Sequence, residues 1–314
     1  MQTANKTINE FDSYSEKLHE ELFDLNISPN PDTNTRAKVT SILRAANKAM
    51  TRIAFDFIDQ HPFSGNEAKS LFCRKTDVLI TTLFNLVHQK FYPLTSRSKD
   101  ESLSLVAIGG YGRGEMAPYS DIDLLFLTPY HQTSWAKNVV ESILYILWDL
   151  KFKVGHSSRT ISDCVQLGSQ DLTIRTSMLE KRYLCGNKNL FKDLEKTLKR
   201  RVFSKKASDF IEGKLSERTE RHLKHANARY MLEPNIKEGK GGLRDLHTLY
   251  WISKYIYKTD NIHSLIEKRI FKESELEIFA EAENFLWFIR CKIHQISGYA
   301  NEKLYFNIQA DLAK

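Results

Sequence analysis

A glycine-rich turn between two apolar runs constrains the fold of this chain more than any other feature. The first run, at residues 103–108, leads into a turn at 109–114 that contains four glycines, and the second run, at 121–127, opens with Asp-Ile-Asp. Short apolar runs bounded by turn residues are typical of buried strands. Because side chains alternate along a strand, we expect Asp121 and Asp123 on one face and the isoleucine between them on the other.

The two carboxylates of this motif suit a divalent cation. Negative charges held side by side on a rigid strand repel each other unless a cation lies between them. Mg²⁺ takes oxygen ligands and is usually shared between one or two carboxylates and substrate phosphates. The glycines can adopt positive φ and let backbone N–H groups approach an anion. Together, the turn and the Asp121–Asp123 pair describe a place where a metal-bound nucleoside triphosphate could be held.

Most of the remaining sequence has a helical pattern. Apolar residues recur at helical spacing in residues 39–57 and 66–91, and residues 135–150 have the same pattern. Residues 152–161 form a third extended segment, interrupted by Gly155. Beyond this segment the helical pattern returns and persists to the end of the chain.

This order of elements predicts an α+β fold, with a small mixed-sheet core flanked by N-terminal and C-terminal helical regions. A chain of 314 residues suits one large or two ordinary domains. We expect an N-terminal helical region at 1–95, the core at 96–170 and a helical domain at 171–314.

Composition predicts a soluble, cytoplasmic protein without membrane association. The first twelve residues are polar, unlike a secretory signal, and the most apolar window, residues 143–150, is too short to span a bilayer. The four cysteines are scattered without metal-ligand spacing, so reduced and buried thiols are expected.

The positive charge of the chain is uneven. Residues 181–206 contain ten Lys or Arg against Asp193 and Glu195, a net +8, whereas the whole chain carries +7. Such a segment is either the solvated surface of a helix or a surface that attracts phosphates or an acidic partner protein. Nucleic acid is not favoured as a partner, because no basic motif interleaved with aromatic residues accompanies the segment.

A second glycine-rich loop lies inside the C-terminal helical region, at residues 232–247. It has two interpretations that the sequence does not separate. The loop is either a connector, in which Asp245 caps the following helix, or a phosphate clamp built from cations and glycines. The cations of the clamp would be Lys237, Lys240 and Arg244. The candidate residues of a second site in this loop are Lys237, Gly241, Gly242, Arg244 and Asp245.

These motifs resemble a known family. Gly109-Gly110, with an Asp-x-Asp eleven residues after the second glycine, is similar to the signature of the DNA polymerase beta-like nucleotidyltransferase superfamily. The longer string GGYGRGEMAPYSDIDLLFL, with VGHSSRT at 154–160 and LEPNIKEGKGGLRDLHTLYW at 232–251, resembles the bacterial PII uridylyltransferases. The resemblance covers residues 35 to 314, and the three motifs occur in the family's order.

The resemblance implies a polymerase beta-like core and a specific reaction. The enzyme would transfer UMP from UTP to a tyrosine hydroxyl of a PII nitrogen-signalling protein and release pyrophosphate. Gly109 and Gly110 would lie against the triphosphate, and Asp121 and Asp123 would bind Mg²⁺, with Mn²⁺ as the alternative ion. Two other functions use the same core: transfer to another protein or small-molecule hydroxyl, and nucleotide sensing without turnover.

Two further residues near the turn have both a functional and a structural interpretation. Arg113 could contact the pyrophosphate end of the nucleotide, or form a salt bridge to Glu115 or another acid. Ser120 is either a nucleotide ligand or a turn residue. The sequence does not decide between these alternatives.

The chain departs from the superfamily in one respect. Many members carry a third carboxylate on a later strand, but residues 152–161 contain no acid. The nearest candidates are Asp149, Asp163 and Asp171, none of them strongly favoured. His156 could act as a base near the acceptor hydroxyl, or could be an ordinary hydrogen-bonded histidine.

Family members continue into an HD-type phosphohydrolase domain and paired ACT domains. This chain has no His-Asp dipeptide and ends in helix-like sequence at Lys314. We therefore expect it to be truncated, without the uridylyl-removing and glutamine-sensing parts.

Overall fold

The computed structural model of the chain describes residues 2–94, 101–224, 232–258, 264–267 and 269–313. Within these ranges, helices predominate and four strands form one sheet. The strands are β1 (Ser104–Ala107), β2 (Ile122–Thr128), β3 (Val154–Thr160) and β4 (Arg182–Gly186).

The helices follow the sequence prediction closely. They are α1 (Gln2–Phe23), α2 (Thr33–Gln60), α3 (Gly65–Leu86), α4 (Gly109–Gly112), α5 (Ser134–Asp149), α6 (Ile161–Gln170), α7 (Leu172–Leu179), α8 (Lys188–Arg201), α9 (Ala207–Lys224), α10 (Leu243–Tyr257), α11 (Ser264–Glu267), α12 (Glu273–Ser297) and α13 (Phe306–Leu312). Helix α3 continues into a π-helical turn at Val87–Phe91. None of the described helices is long and apolar enough to cross a membrane. All four cysteines are free and buried, as predicted.

The sheet is mixed, with strand order β3-β2-β1-β4. Strand β1 is antiparallel to both β2 and β4, whereas β2 and β3 are parallel. The parallel pair requires a crossover connection, which α5 supplies. The predicted α+β fold with a small mixed sheet is therefore confirmed.

Strand β4 corrects one expectation. The sequence beyond the third extended segment was expected to be helical throughout, and this is wrong for Arg182–Gly186. Its apolar run, Tyr183 to Cys185, is only three residues long, and Cys185 is the one fully buried residue of the strand. Pairing with β1, which includes a register shift between Leu105 and Val106, establishes the strand.

The chain divides into two compact units. The first contains the sheet and consists of Met1–Phe57, Ser70–Met116 and Ser120–Val202. The second is helical in its described part and consists of Ile58–Lys69, Ala117–Tyr119 and Phe203–Lys314.

The division into parts at 1–95, 96–170 and 171–314 stays a prediction. Its first boundary falls within residues 95–100, which lie outside the described residues.

Strand β2 forms part of the core of the first unit. Every residue of β2 except Asp123 is buried, and Ile122 and Leu124 on either side of Asp123 are almost fully excluded from solvent. Asp123 is therefore the residue of β2 whose side chain can be reached by solvent. The candidate site is described around this carboxylate.

Candidate active site

The glycine turn adopts backbone conformations that require glycine. After β1 the chain enters α4, where Gly109 has φ +61°, and leaves through Gly114 with φ +81°. A Cβ on Gly112 would lie 2.0 Å from the carbonyl oxygen of Glu180. At Gly110 the nearest atoms to an added Cβ would be 3.6 Å away, which is ordinary contact distance. The first, third and fourth glycines are therefore needed by the turn itself.

The carboxylate of Asp123 lies between two glycines. A Cβ on Gly109 would approach Asp123 Oδ2 to 2.9 Å, and a Cβ on Gly155 would approach Oδ1 to 2.4 Å. Gly155 is the register partner of Asp123 in the parallel pair of β2 and β3. The backbone N–H of Ile108 also donates to the Asp123 carbonyl, 3.1 Å away, which ties the start of the turn to β2. The sheet thus places Gly109 next to Asp123.

Asp121 immediately precedes β2 rather than lying within it. Its side chain is exposed, Ile122 is buried and Asp123 is half-buried. The N–H of Ile122 donates to the Lys153 carbonyl at 2.9 Å, which fixes the backbone between the two acids. This alternation is the one expected for two carboxylates opposite a buried isoleucine. Ser120, one residue earlier, is half-buried.

Arg113 forms ion pairs within the protein. Its Nε donates to Glu115 at 2.7 Å, and its Nη1 pairs with Glu180. The side chains of Arg113 and Glu180 are 8% and 3% exposed. Burial disfavours the charged guanidinium, but Glu180 and Glu115 outweigh it and raise the pKa of Arg113. The salt bridge to Glu115 is one of the two alternatives for this residue, and contact with a nucleotide stays a prediction.

The face of β3 beside Asp123 carries no carboxylate. Alternation from Gly155 places Ser157 and Arg159 on the same face, whereas His156 is in register with Leu124 on the opposite face. There the His156 ring contacts Trp148 of α5 edge-on, with ring centroids 6.0 Å apart. His156 therefore lies on the face of the sheet away from the Asp123 carboxylate, and its role as a base stays a prediction.

Two of the three candidate acids have local structural roles. Asp163 accepts hydrogen bonds from the backbone N–H and hydroxyl of Thr160 in a capping box of α6. Asp171 caps α7 by accepting from the Ile174 N–H at 2.8 Å. Asp149, the last residue of α5, is exposed. No third carboxylate can be assigned from these contacts.

The second glycine-rich loop, in the second unit, has charged side chains that face opposite charges. Lys237 lies 3.6 Å from Glu302, and Arg244 lies 3.0 Å from Glu238. The carboxylate of Asp245 pairs with Arg221 and His222 and accepts from the Gly241 N–H at 2.8 Å. The cap of α10 is Gly242, so the expectation that Asp245 caps this helix is wrong.

The glycines of this loop are explained by its backbone. Gly241 has φ +80°, and a Cβ on Gly242 would lie 2.6 Å from the Ile236 carbonyl oxygen. These features are what a connector requires. A second site formed by Lys237, Gly241, Gly242, Arg244 and Asp245, and the phosphate clamp within it, stay predictions.

The basic segment at 181–206 is divided between two environments. Lys181 lies 3.6 Å from Glu195, and Arg182 is paired with Asp77. The other eight basic residues are exposed, on α8 and just after it. Both interpretations of this surface remain open.

Comparison with known proteins identifies the family of this chain. The nucleotidyltransferase domain family matches residues 94–183, and the family of the GlnD PII-uridylyltransferase matches residues 209–314. Over 278 residues, 88% of this chain, it is 46% identical to a bifunctional uridylyltransferase/uridylyl-removing enzyme of Ruegeria pomeroyi. Over 238 residues, 76% of this chain, it is 48% identical to a protein of the same name from Cereibacter sphaeroides. The chain belongs to the PII-uridylyltransferase family.

Membership of the PII-uridylyltransferase family confirms the resemblance drawn from the three motifs. The matched regions correspond to 30% and 26% of the two relatives, so the chain spans less than a third of their length. The nucleotidyltransferase match contains the glycine turn and Asp121–Asp123, and the uridylyltransferase match contains the second glycine-rich loop.

Gly155 has a role at the site that the sequence does not predict. The sequence indicates only an interruption of an extended segment, whereas the structure places Gly155 against the carboxylate of Asp123. A glycine inside a strand pattern indicates that another group approaches the backbone closely, but it does not indicate which group.

Proposed function

We propose that this chain transfers UMP from UTP to a tyrosine hydroxyl of a PII-type signalling protein and releases pyrophosphate. The observation that carries the proposal is the position of the Asp123 carboxylate between Gly109 and Gly155. Membership of the PII-uridylyltransferase family supports the donor, the acceptor and the cytoplasmic location expected from the sequence.

The residues present fit a bound Mg²⁺ or Mn²⁺. Asp121 and Asp123 offer carboxylate oxygens, which are the ligands these ions prefer. A Cβ at either neighbouring glycine would fill the space of the Asp123 oxygens, so the backbone is shaped around that carboxylate. No cluster of three or more His, Cys, Asp or Glu that could hold a metal occurs among the described residues. Mg²⁺ is commonly bound by two protein carboxylates, and phosphate oxygens and water complete its coordination.

Each part of the site has a task in the reaction. The tyrosyl oxygen forms a bond to the α-phosphorus of UTP, and the bond from that phosphorus to the oxygen shared with the β-phosphorus breaks. Pyrophosphate leaves with that electron pair, and the phenolic proton passes to solvent. A bound divalent ion would offset the charge that develops on the attacking and leaving oxygens. Gly109 and Gly110 leave the turn without side chains, so the triphosphate can approach the backbone. Asp121 and Asp123 would hold the metal, and such positioning supplies most of the catalysis in phosphoryl and nucleotidyl transfer.

The test is intact-mass measurement of a purified PII protein after incubation with this chain, UTP and Mg²⁺. We expect a shift of one uridylyl group, lost in Asp121→Asn and Asp123→Asn variants that keep their melting temperature. Parallel reactions with ATP, CTP and GTP measure the choice of base. Labelling only of a different acceptor would support the first alternative function, and UTP binding without any transfer would support the sensing module. Transfer that survives in both variants would refute the site.

A further inference from the structure

Arg182, the first residue of β4, contacts the glycine turn at Tyr111. Arg182 Nη2 donates to the Tyr111 carbonyl oxygen at 3.1 Å, and the guanidinium lies over the Tyr111 ring, 5.2 Å from its centroid. Tyr111 is itself 1% exposed. One side chain therefore holds both the backbone and the ring of the residue at the middle of α4.

Asp77 of α3 fixes Arg182 in this position. Its two carboxylate oxygens accept from Arg182 Nη1 and Nη2 at 2.8 and 2.9 Å. Such a bidentate pair defines the orientation of the guanidinium plane as well as its place. The hydrogen bond to the Tyr111 carbonyl oxygen is donated by Nη2 of the same guanidinium group.

A second residue, Glu180, also contacts the glycine turn and lies two positions before Arg182 in the chain. Glu180 pairs with Arg113, and its carbonyl oxygen lies where a Cβ of Gly112 would be, at 2.0 Å. Glu180 and Arg182 flank Lys181, so the segment that enters β4 holds the glycine turn at two points.

The hydrogen bonds within the glycine turn are too few to hold its conformation by themselves. Four backbone hydrogen bonds of 3.0–3.1 Å close it: Gly112 to Ile108, Arg113 to Gly109, Gly114 to Tyr111 and Glu115 to Gly110. A four-residue helix that contains three glycines is far below the length at which an isolated helix is stable. Its conformation must therefore come from tertiary contacts.

We propose that Arg182 is a positioning residue for the nucleotide, holding the glycine turn in its binding conformation, with Asp77 holding Arg182. The inference rests on the proposed function in one respect, namely that the turn binds UTP. That Arg182 holds the turn in place depends only on the contacts above.

The experiment compares Arg182→Lys and Asp77→Asn with Arg74→Lys as the matched control. Lys keeps the positive charge of Arg182 but lacks the fork that reaches Asp77 and Tyr111 together. Arg74 lies on the same helix as Asp77, but its ion pair with Asp12 is half-exposed. For each protein we would measure the melting temperature, hydrogen exchange at residues 109–115 and 122–128, and the Kd for UTP with Mg²⁺ by calorimetry.

We expect faster exchange at 109–115 in both test variants, unchanged exchange at 122–128, and a Kd for UTP weakened by about tenfold, as for loss of an outer supporting partner. The control should resemble the parent. Unchanged turn exchange and Kd in Arg182→Lys and Asp77→Asn would overturn the proposal, as would unfolding of both variants, since the pair would then serve fold stability.

The same measurements distinguish failure of the proposed function from failure of the positioning role of Arg182. If the parent binds no UTP, the proposed function fails, and the exchange data alone decide whether Arg182 holds the turn. If the parent binds UTP and the variants bind it equally well, only the positioning role fails.

Discussion

The carboxylate of Asp123 lies directly over Gly155, its register partner on the neighbouring parallel strand. A methyl group on Gly155 would be 2.4 Å from Asp123 Oδ1, a distance that no carbon–oxygen contact tolerates. The contact is with the end of a side chain rather than with backbone, so the carboxylate could rotate away while the strand stays in place. Position 155 therefore controls where the carboxylate points.

Gly155→Ala is expected to lower uridylyl transfer by at least about tenfold while the melting temperature stays within a few degrees of the parent. The displaced Asp123 would hold Mg²⁺ poorly, so the metal concentration needed for half-maximal rate should rise as well. Initial rates over a Mg²⁺ series measure both effects.

The matched control is Gly168→Ala on α6. An added Cβ there meets Val202 at 3.7 Å, an ordinary contact, and Gly168 has no positive φ. This variant should keep its rate and gain stability, by roughly 0.5–1 kcal/mol for Gly to Ala inside a helix. Equal rates in the two variants would show that Gly155 does not position Asp123.

Glu180→Ala is expected to destabilise the protein by about 3 kcal/mol, because it removes a buried carboxylate that pairs with the buried guanidinium of Arg113. The pair of Lys137 with Glu141 provides the comparison, since those side chains are 64% and 47% exposed. Glu141→Ala should change the free energy of unfolding by less than about 0.5 kcal/mol. Denaturant titrations of both variants measure the difference, and similar values would contradict the assignment of a buried, structural pair.

The sequence was sufficient to predict β1, β2 and the turn between them. Their signals are local: an apolar run, glycines that need positive φ, and alternation around Ile122. The confirmed fold class follows from these same signals together with the helical periodicity on either side.

The remaining features of the site depend on contacts between residues that are distant in the sequence, and no local sequence pattern indicates such contacts. Gly155 acquires its role only because β3 lies parallel to β2 in the register that brings it to Asp123. Asp77 and Arg182 are 105 residues apart, and β4, which begins with Arg182, has one buried residue in five. Both interactions are set by the tertiary packing of the first unit, so neither charge pattern nor periodicity could indicate them.

Lys75→Met is expected to stabilise the protein at neutral pH. Lys75 is 3% exposed, its Nζ donates to the Thr51 hydroxyl at 3.2 Å, and burial lowers its pKa to about 8 from 10.5. The unfolded chain binds more protons between these values, so this lysine makes stability rise with pH from about 8 to 10.5. At neutral pH the cost of the buried charge is largest, about 3 kcal/mol as an upper limit at 1.36 kcal/mol per pKa unit.

The measurement is the free energy of unfolding at pH 7 and pH 10 for Lys75→Met and for Lys48→Met, whose lysine is exposed on α2. The Lys75 variant should gain stability at pH 7 and lose most of that advantage at pH 10. The Lys48 variant should match the parent at both. A Lys75 variant less stable than the parent at pH 7 would mean that the ammonium has partners strong enough to offset its burial.

Acid is expected to destabilise the second unit in two steps, because the buried His294 and the half-buried Glu302 both have lowered pKa values. Burial holds the pKa of His294 below its ordinary 6.5, and the ring is fully buried. Burial would raise the pKa of Glu302, but His294, Arg290 and Lys237 outweigh it and hold that pKa far below its ordinary 4.5. Arg290 donates to both Glu302 oxygens, at 2.8 and 2.6 Å.

Protonation of His294 and of Glu302 in the unfolded chain both lower the stability of the protein as the pH falls. Below about pH 6.5 the unfolded chain protonates His294 while the folded chain keeps it neutral, so stability falls as pH drops through that value. Below about 4.5 the unfolded chain protonates Glu302 while the folded chain keeps it charged, so stability falls further. Melting temperatures between pH 8 and pH 3 should therefore decline first near 6.5 and again below 4.5.

His294→Gln separates the two steps. Glutamine can still accept the hydrogen bond that the Tyr119 N–H donates to His294 Nδ1 at 3.3 Å, but it does not titrate. The decline near pH 6.5 should flatten in this variant, whereas the decline below 4.5 should remain because the pair of Arg290 with Glu302 is intact. If the melting temperature of His294→Gln still falls between pH 7 and pH 5.5 as steeply as that of the parent, another group must titrate there and His294 is not the cause.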